Sequence, residues 1–193
     1  FCSDHGDHMG NFSMLGKGTM LESSVRVPLF IKPPGHRHGR IRRQEIVNTI
    51  DLFRTILDYA CIRTPAAAQN SRSLRPLVEQ KRALWKNETF SSFCSPDLKD
   101  GLAMYVRDDV KVVSSLKDGQ HHTHAFYRRG KAGLEDVPLP GPVPAEMEQR
   151  LSEWLTDTAA GRRSPRHENE NRTAAPQRRL SHRFATRRKD RIR

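Results

Sequence analysis

In the first half of this chain, a short run of mostly apolar residues is followed by apolar residues at helical spacing. Residues 25–35, VRVPLFIKPPG, are mostly apolar and end at Pro-Pro-Gly, which predicts a short buried strand. Residues 48–62 follow with apolar side chains at helical spacing, which predicts an amphipathic helix that packs this side into the core. Those side chains are Ile50, Phe53, Ile56, Leu57 and Ala60. Residues 73–80, SLRPLVEQ, predict a further short turn of helix.

The second half of the chain has a shorter period. Between residues 83 and 119, short extended segments alternate with Asp-Gly turns, which predicts an antiparallel meander. Residues 144–159 then return to helical spacing, and we expect this helix to pack its apolar side against the meander. That side carries Met147, Leu151, Trp154 and Leu155.

The charge of the chain is concentrated at its carboxyl end. The formal net charge is +12, but residues 161–193 alone hold twelve Arg or Lys and three Asp or Glu, a net of +9. This tail has few apolar residues, so we expect it to be disordered. It either binds a polyanion or is a solvated extension without a role. Its single aromatic residue does not favour nucleic acid, because single-stranded nucleic acid is bound by stacking on several aromatic side chains. We therefore expect three regions, residues 1–82, 83–160 and 161–193.

Cysteine usage and hydropathy exclude several classes of protein. Cys2, Cys61 and Cys94 lie far apart, which argues against a disulfide framework and a zinc ribbon. No segment resembles a signal peptide or a membrane span. The chain begins with FCSDHGD and without Met, as if a strand had been cut, so we expect a fragment. A periplasmic or secreted location is compatible with that expectation, because a signal region would then precede residue 1.

Residues 3–18, SDHGDHMGNFSMLGKG, concentrate side chains that can bind a cation or an anion: two Asp, two His and one Lys. If FCS ends a parallel strand, Asp4 and His5 emerge at the sheet edge where open α/β sheets place their sites. A carboxylate and an imidazole suit calcium, magnesium, manganese or zinc, with further ligands supplied from elsewhere. Lys17 would then face an anionic substrate as a point charge. The alternative is an ordinary turn in which Asp4 and His5 bond to the local backbone.

Residues 3–35 closely resemble the carboxyl-terminal half of the sulfatase family, within the alkaline-phosphatase-like superfamily. The shared features are the Asp-His pair, the Gly-rich loop, the Lys about a dozen residues on, and the later Glu and Arg-Val-Pro. TIDLFRTILDYACI and SLRPL resemble a helix and loop of the same family. The resemblance is strong over residues 1–80 and weaker to about 158. It implies an α/β fold: part of an alkaline-phosphatase-like sheet with flanking helices, then a small antiparallel sheet and helix.

The resemblance also implies an activity, the hydrolysis of a sulfate ester on a small molecule or polysaccharide. By family analogy, Asp4 and His5 would ligate a divalent cation, usually calcium, and Lys17 would contact the sulfate. Asp7 and His8 would lie behind these ligands or belong to the loop. Glu22 and Arg26 would form a pair that braces the loop on the sheet.

The chain departs from the family most clearly at the nucleophile. Sulfatases use a Cys or Ser in a C/S-x-P/A-x-R context, converted to formylglycine, and no such context occurs in these 193 residues. At Cys94 the sequence CSPDL has Leu98 where Arg is required, so we interpret Cys94 as a core residue. The fragment alone is therefore expected to be inactive. Alternatives are a phosphodiesterase or phosphonate hydrolase of the same superfamily, or a non-catalytic remnant that binds polyanions.

Three histidines fall within four positions, at His121, His122 and His124. They are compatible with a transition-metal site, but a solvated hairpin tip is the favoured interpretation.

Overall fold

A computed structural model describes residues 1–35, 41–65, 70–81, 84–95, 97–118, 120–127, 137–138 and 140–160. The basic tail, with its expected disorder, lies outside these residues. The helices are α1 (Glu22–Val25), α2 (Asp51–Tyr59), α3 (Arg75–Val78) and α4 (Ala145–Ala159). The strands are β1 (Glu88–Cys94), β2 (Gly101–Arg107), β3 (Val110–Lys117), β4 (Gln120–Tyr127) and β5 (Val137–Pro138). This mixed α/β architecture confirms the expected fold class.

The five strands form one antiparallel sheet in the order β1-β2-β3-β4-β5, so each strand pairs with its neighbour in sequence. The predicted meander is thereby confirmed. A two-residue turn joins β2 to β3, with Asp108 at a φ of 51°. Asp is one of the few residues that adopt this left-handed conformation readily, which is why it suits a tight hairpin.

One face of the sheet packs against α4 and forms the larger core. In register across the sheet stand Phe90, Tyr105, Val112 and Ala125, all buried. From α4, Met147, Leu151 and Leu155 cover them, as expected. The ring of Trp154 stacks on that of Phe90 with their centroids 5.2 Å apart.

The other face of the sheet packs against segments that precede β1. Met104 and Val106 of β2 contact Met20 and Ile46, which come from the first quarter of the chain. Because apolar side chains cover both faces, β2 is buried along most of its length. The amino-terminal segments are therefore held directly on the sheet.

Helix α2 is present as predicted, but the expectation about its buried side is wrong. Ile50, Phe53 and Ile56 are 46%, 47% and 65% exposed, whereas Asp51 and Thr55 are 0% and 3% exposed. The polar side faces inward because these two side chains accept hydrogen bonds from buried backbone N–H groups of Arg72 and Leu74. Helical spacing identified the helix but not the side it buries.

Two further expectations differ from the structure. Val25 ends α1, and residues 26–31 are extended with side chains that alternate between exposed and half-buried. Leu29 forms one isolated antiparallel bridge with Cys2 instead of belonging to a buried strand. In the part of the chain that the structure describes, Leu29 and Phe30 pair with Cys2 and Phe1, and a longer neighbouring strand is absent. The three histidines are exposed, as expected for solvated positions, but they lie within β4 rather than in the turn itself, and His121 points to the opposite face from His122 and His124.

In the part of the chain that the structure describes, no helix has both the length and the apolar character that crossing a membrane requires.

Candidate metal and anion site

The loop that carries the candidate site has its two ends held side by side. Phe1 and Phe30 exchange backbone hydrogen bonds of 2.8 and 2.9 Å, and Cys2 bridges Leu29. The chain leaves this pairing at Asp4, passes through the loop and α1, and returns at about residue 27. The loop is therefore closed at its base, which limits how far its two arms can separate.

The three predicted side chains meet on the exposed surface of this loop. His5 Nε2 lies 3.3 Å from Asp4 Oδ2 and 2.5 Å from Lys17 Nζ. Lys17 is twelve residues from His5 in sequence, so the loop conformation brings them together. The predicted proximity of Asp4, His5 and Lys17 is confirmed.

The hydrogen bonds of His5 define its tautomer. Its Nδ1 lies 2.9 Å from the backbone oxygen of Gly6, and a carbonyl only accepts, so Nδ1 carries the proton. The Nε2 lone pair then faces Lys17, whose ammonium group donates to it. Metal-binding histidines commonly donate their other ring N–H to a backbone carbonyl in this way. His5 therefore presents a lone pair at the site.

Asp4 is held in its charged form. Its Oδ1 accepts the backbone N–H of His5 at 2.9 Å, and this bond, reinforced by the nearby charge of Lys17, lowers the pKa of the carboxyl. Oδ2 is the oxygen that lies toward His5. The site thus combines an ionised carboxylate, an imidazole lone pair and an ammonium group.

Asp7 and His8 have structural roles within the loop. His8 is buried, and its ring nitrogens lie 2.7 Å from Ser23 Oγ and 2.9 Å from Thr19 Oγ1. Both nitrogens are thereby engaged, so His8 joins one arm of the loop to the other and to α1. Asp7 Oδ1 accepts the backbone N–H of Met9 at 3.0 Å and stabilises a local turn.

Gly6 permits the close approach of the loop to α1. A Cβ atom at this position would lie 2.0 Å from the backbone oxygen of Ser23, and the Gly6 N–H donates to Ser24 O at 2.7 Å. Gly18, next to Lys17, has a φ of 97°, a conformation that favours glycine. Gly6 follows His5 and Gly18 follows Lys17, so each glycine lies next to a candidate site residue where the loop folds back on itself.

Glu22 braces the loop on the sheet, through a partner that the sequence did not identify. Lys111 of β3 lies with its Nζ 3.1 Å from Glu22 Oε1, and both side chains are buried. Lys111 also donates to the backbone oxygen of Met20 at 2.8 Å. The sequence signal for Lys111 is weak, because a lysine among apolar residues in a strand usually faces solvent.

Asp4, His5 and Lys17 lie at the rim of a groove of about 1400 Å³ between the loop and the sheet. The lining of the groove also includes residues of β1 and β2, among them Thr89, Ser91 and Met104. A groove of this size accommodates a small molecule or part of a longer one. The charged groups at its rim would face a ligand that lies in it.

The separation of Asp4 and His5 fits two ligands of one cation. Ligands about 2.1–2.5 Å from one ion and at right angles lie about 3.0–3.5 Å apart, and the observed oxygen–nitrogen distance is 3.3 Å. Within the described ranges, no group of three or more His, Cys, Asp or Glu side chains is placed to hold a metal ion. Asp4 and His5 are thus suited to form part of a coordination sphere.

Cys94 has the environment of a structural residue. Its Sγ donates to the backbone oxygen of Leu102 at 3.2 Å, and burial raises the pKa of the thiol. A raised pKa keeps the sulfur protonated and unreactive. This agrees with the interpretation of Cys94 as a core cysteine.

Comparison with known protein families identifies a match that covers most of the first half of the chain and extends into β2. The model of the family described as N-sulphoglucosamine sulphohydrolase, C-terminal, matches residues 10–109, a range that contains Lys17. An arylsulfatase of Clostridium perfringens (strain 13 / Type A) is 36% identical over 91 residues, which are 45% of this chain and 18% of that protein. The chain thus aligns with about a fifth of this relative's length.

Two solved structures share the fold over most of the chain. The phosphonate monoester hydrolase SpPMH from Silicibacter pomeroyi has a TM-score of 0.65 at 22% identity, over 84% of this chain and 34% of that one. BT4656, solved in complex with its substrate D-glucosamine-2-N,6-O-disulfate, has a TM-score of 0.59 at 21% identity, over 82% of this chain and 33% of that one. At these identities the likeness concerns the fold.

Proposed function

Because this chain belongs to the family described as N-sulphoglucosamine sulphohydrolase, C-terminal, whose model matches more than half of its residues, we propose that it forms part of a metal-dependent sulfatase site. The substrate would be a sulfate ester on a small molecule or polysaccharide. The observation that carries the proposal is the convergence of Asp4, His5 and Lys17 at one point of the loop.

Each of the three side chains has a role in this proposal. Asp4 and His5 would hold a divalent cation, and the hard carboxylate oxygen suits calcium, the ion that the family resemblance favours. When bound, such a cation neutralises negative charge on the oxygens of the group being transferred. Lys17 would place its ammonium group on a sulfate oxygen and stabilise charge that develops there. In the structure the ammonium group of Lys17 donates to the Nε2 lone pair of His5. A cation bound to that lone pair would displace the ammonium group, which would then be available to a sulfate oxygen.

The nucleophile would come from outside these residues. We propose a formylglycine, because the family resemblance implies it and no C/S-x-P/A-x-R context occurs in the 193 residues. The chain aligns with 18% of the arylsulfatase and 34% of the phosphonate hydrolase chain, so it supplies a minor part of such an enzyme. Alone, it would bind a cation and an anion without hydrolysing an ester.

Calorimetric titration of the 193-residue chain with Ca²⁺ and Mn²⁺ tests the metal role. Asp4→Asn removes a charged ligand, so we expect it to weaken cation affinity by about tenfold or more. The matched control is Asp7→Asn, which replaces a nearby carboxylate by an amide whose oxygen can still accept the Met9 N–H. Equal affinities in the unchanged chain and in Asp4→Asn would refute the proposed site.

A second candidate is hydrolysis of a phosphonate or phosphodiester, and its support is the fold shared with the phosphonate monoester hydrolase SpPMH. A carboxylate, an imidazole and a lysine suit either anion, because sulfate and phosphate esters differ mainly in charge. Titration of the cation-loaded chain with inorganic sulfate and with methylphosphonate separates the two. Preferential binding of sulfate that Lys17→Met abolishes would support the sulfatase, and preference for methylphosphonate would favour the second candidate.

A further inference from the structure

A fully buried lysine reaches from the sheet to the loop that carries the site. Lys111 is 0% exposed, and its Nζ donates to Met20 O at 2.8 Å and lies 3.1 Å from Glu22 Oε1. Removing two charges from water is costly, so a buried ion pair is a weak source of stability compared with apolar packing. Its more specific effect is to define where the two segments that carry it sit relative to each other.

The segment that Lys111 holds is also the support of the loop. Glu22 begins α1, and the two residues that follow bond to the loop. Ser23 Oγ lies 2.7 Å from His8 Nδ1, and Ser24 O accepts the N–H of Gly6 at 2.7 Å. Thr19 Oγ1, just before Met20, lies 2.9 Å from the other ring nitrogen of His8. Both arms of the loop are therefore bonded to the segment that Lys111 fixes.

These bonds fall next to the functional side chains. Gly6 directly follows His5 in the first arm, and Thr19 is two residues after Lys17 in the second. A shift of α1 or of Met20 would displace both anchors, and with them the 2.5 Å contact between Lys17 Nζ and His5 Nε2. The position of the two arms depends on a point of attachment on the sheet.

We propose that Lys111 is a positioning residue for the site: from the sheet, it sets the placement of Lys17 relative to His5 through Glu22 and the backbone of Met20. The inference that Lys111 fixes the position of the loop rests only on the contacts of the loop. Its consequence for ligand binding rests on the proposed function. The antiparallel sheet would thereby take part in the site without contacting a ligand.

The test compares three variants of the 193-residue chain by amide hydrogen exchange and by Mn²⁺-induced broadening of the His5 ring resonances. Lys111→Met removes the charge at similar length, Lys111→Arg conserves it, and Leu151→Ala is a control that destabilises the opposite face of the sheet. In Lys111→Met we expect the amides of Gly6 and His8 to exchange about tenfold faster, and Mn²⁺ to bind about tenfold more weakly. Lys111→Arg should recover most of both effects.

Glu22→Gln tests the same ion pair from its other partner, in case the Lys111→Met variant does not fold. It keeps the shape of the side chain and removes the negative charge. It should accelerate exchange at Gly6 and His8 in the same way. The inference would be overturned if, at matched global stability, the Gly6 and His8 amides exchanged no faster in Lys111→Met and Glu22→Gln than in Leu151→Ala. Lys111 would then be an ordinary stabilising residue.

The two proposals fail separately. If the unchanged chain shows no Mn²⁺ effect at His5, the proposed metal site is wrong. Selective loosening of Gly6 and His8 in Lys111→Met would then still support the positioning role. If Mn²⁺ binds at His5 with the same affinity in Lys111→Met and in the unchanged chain, the metal site stands and the positioning role falls.

Discussion

Two regions of this molecule differ in how they use buried polar and apolar side chains. In the sheet region, which runs from β1 to α4, the core between the sheet and α4 is apolar: Ala103 and Val112 are 0% exposed and Leu151 is 2% exposed. In the loop region, the described residues that precede β1, helix α2 buries Asp51 and Thr55 and leaves Phe53 and Ile56 largely exposed. The sheet region forms an apolar core with α4, whereas the loop region buries apolar side chains such as Met20 and Ile46 against the sheet.

Hydrogen bonds hold the loop region where apolar packing does not. Asp51 accepts the backbone N–H groups of Arg72 and Asn48 at 2.8 and 3.0 Å. The buried guanidinium of Arg72 donates to three backbone carbonyls, those of residues 46, 86 and 88, and lies 3.9 Å from the ring centroid of Trp85. Thr55 Oγ1 accepts the N–H of Leu74 at 2.8 Å.

This difference predicts how the stability of each region responds to amino-acid substitutions. Apolar cores tolerate substitution by residues of similar size, whereas a buried polar bond has a defined geometry and a large cost when one partner is removed. A loop that must present three side chains at fixed distances benefits from such directional bonds. We therefore expect the loop region to be sensitive to the loss of single polar groups and insensitive to changes on the apolar side of α2.

The two tryptophans report on the two regions separately. Trp85 stacks with Arg72 in the loop region, and Trp154 stacks with Phe90 in the sheet region. Because the chain has only these two, Trp154→Phe and Trp85→Phe yield single-tryptophan variants. Urea unfolding followed by fluorescence then measures the free energy of unfolding of each region.

The largest effect is expected from Asp51→Ala. It deprives the buried N–H group of Arg72 and the partly buried N–H group of Asn48 of their acceptor, and it leaves the Arg72 guanidinium without the carboxylate whose Oδ2 lies 4.0 Å from it. The free energy of unfolding reported by Trp85 should fall by about 3–5 kcal/mol. The value reported by Trp154 should fall by less.

Asp51→Asn is the matched control, because it keeps one acceptor oxygen and removes the charge, and its cost should be smaller. A fall of less than about 1 kcal/mol in Asp51→Ala would show that the polar bonds do not hold the loop region. An equal fall at both tryptophans would show that the two regions unfold as one unit.

A smaller effect is expected from pH, and it should be confined to the sheet region. Burial, followed by a 2.6 Å hydrogen bond to Glu88, raises the pKa of Tyr105 above its ordinary value of 10.0. The folded state keeps the phenol neutral, so the stability it contributes is complete below pH 10 and decreases as pH rises above that value. The free energy reported by Trp154 should fall by up to about 1.4 kcal/mol per pH unit in this range.

Tyr105→Phe separates this effect from other alkaline titrations. The variant should be about 1 kcal/mol less stable at neutral pH, since it loses the bond to Glu88, and its stability should depend less on pH above 10. An unchanged alkaline slope would assign the pH dependence to other groups.

The sequence predicted the elements better than their surroundings. Periodicity correctly indicated α2, α4 and the meander, because the spacing of apolar residues reports the backbone conformation. It did not indicate which side of α2 faces inward, because that depends on Arg72 and Leu74, whose N–H groups need acceptors 19 to 21 residues away. Residues 26–31 show the same limitation, because pairing requires a neighbouring strand that local sequence does not specify.

The site shows a similar division. The family resemblance, added to the spacing of the motif, predicted that Asp4, His5 and Lys17 lie together; the spacing alone was also compatible with an ordinary turn. The support of the loop was not predictable, because Lys111 follows Glu22 by 89 residues and its burial depends on the packing of β3. Their roles in metal binding and catalysis stay predictions.

The smallest effect is expected on the apolar side of α2. Phe53 is 47% exposed, and Phe53→Ala should lower the free energy of unfolding reported by Trp85 by about 1 kcal/mol or less. The matched control in the sheet region is Phe90→Ala, because Phe90 is 4% exposed and stacks with Tyr105 at 4.4 Å between centroids. That change should cost about 3–5 kcal/mol at Trp154. Comparable costs for the two substitutions would mean that Phe53 is packed in solution, and the contrast between the two regions would then be withdrawn.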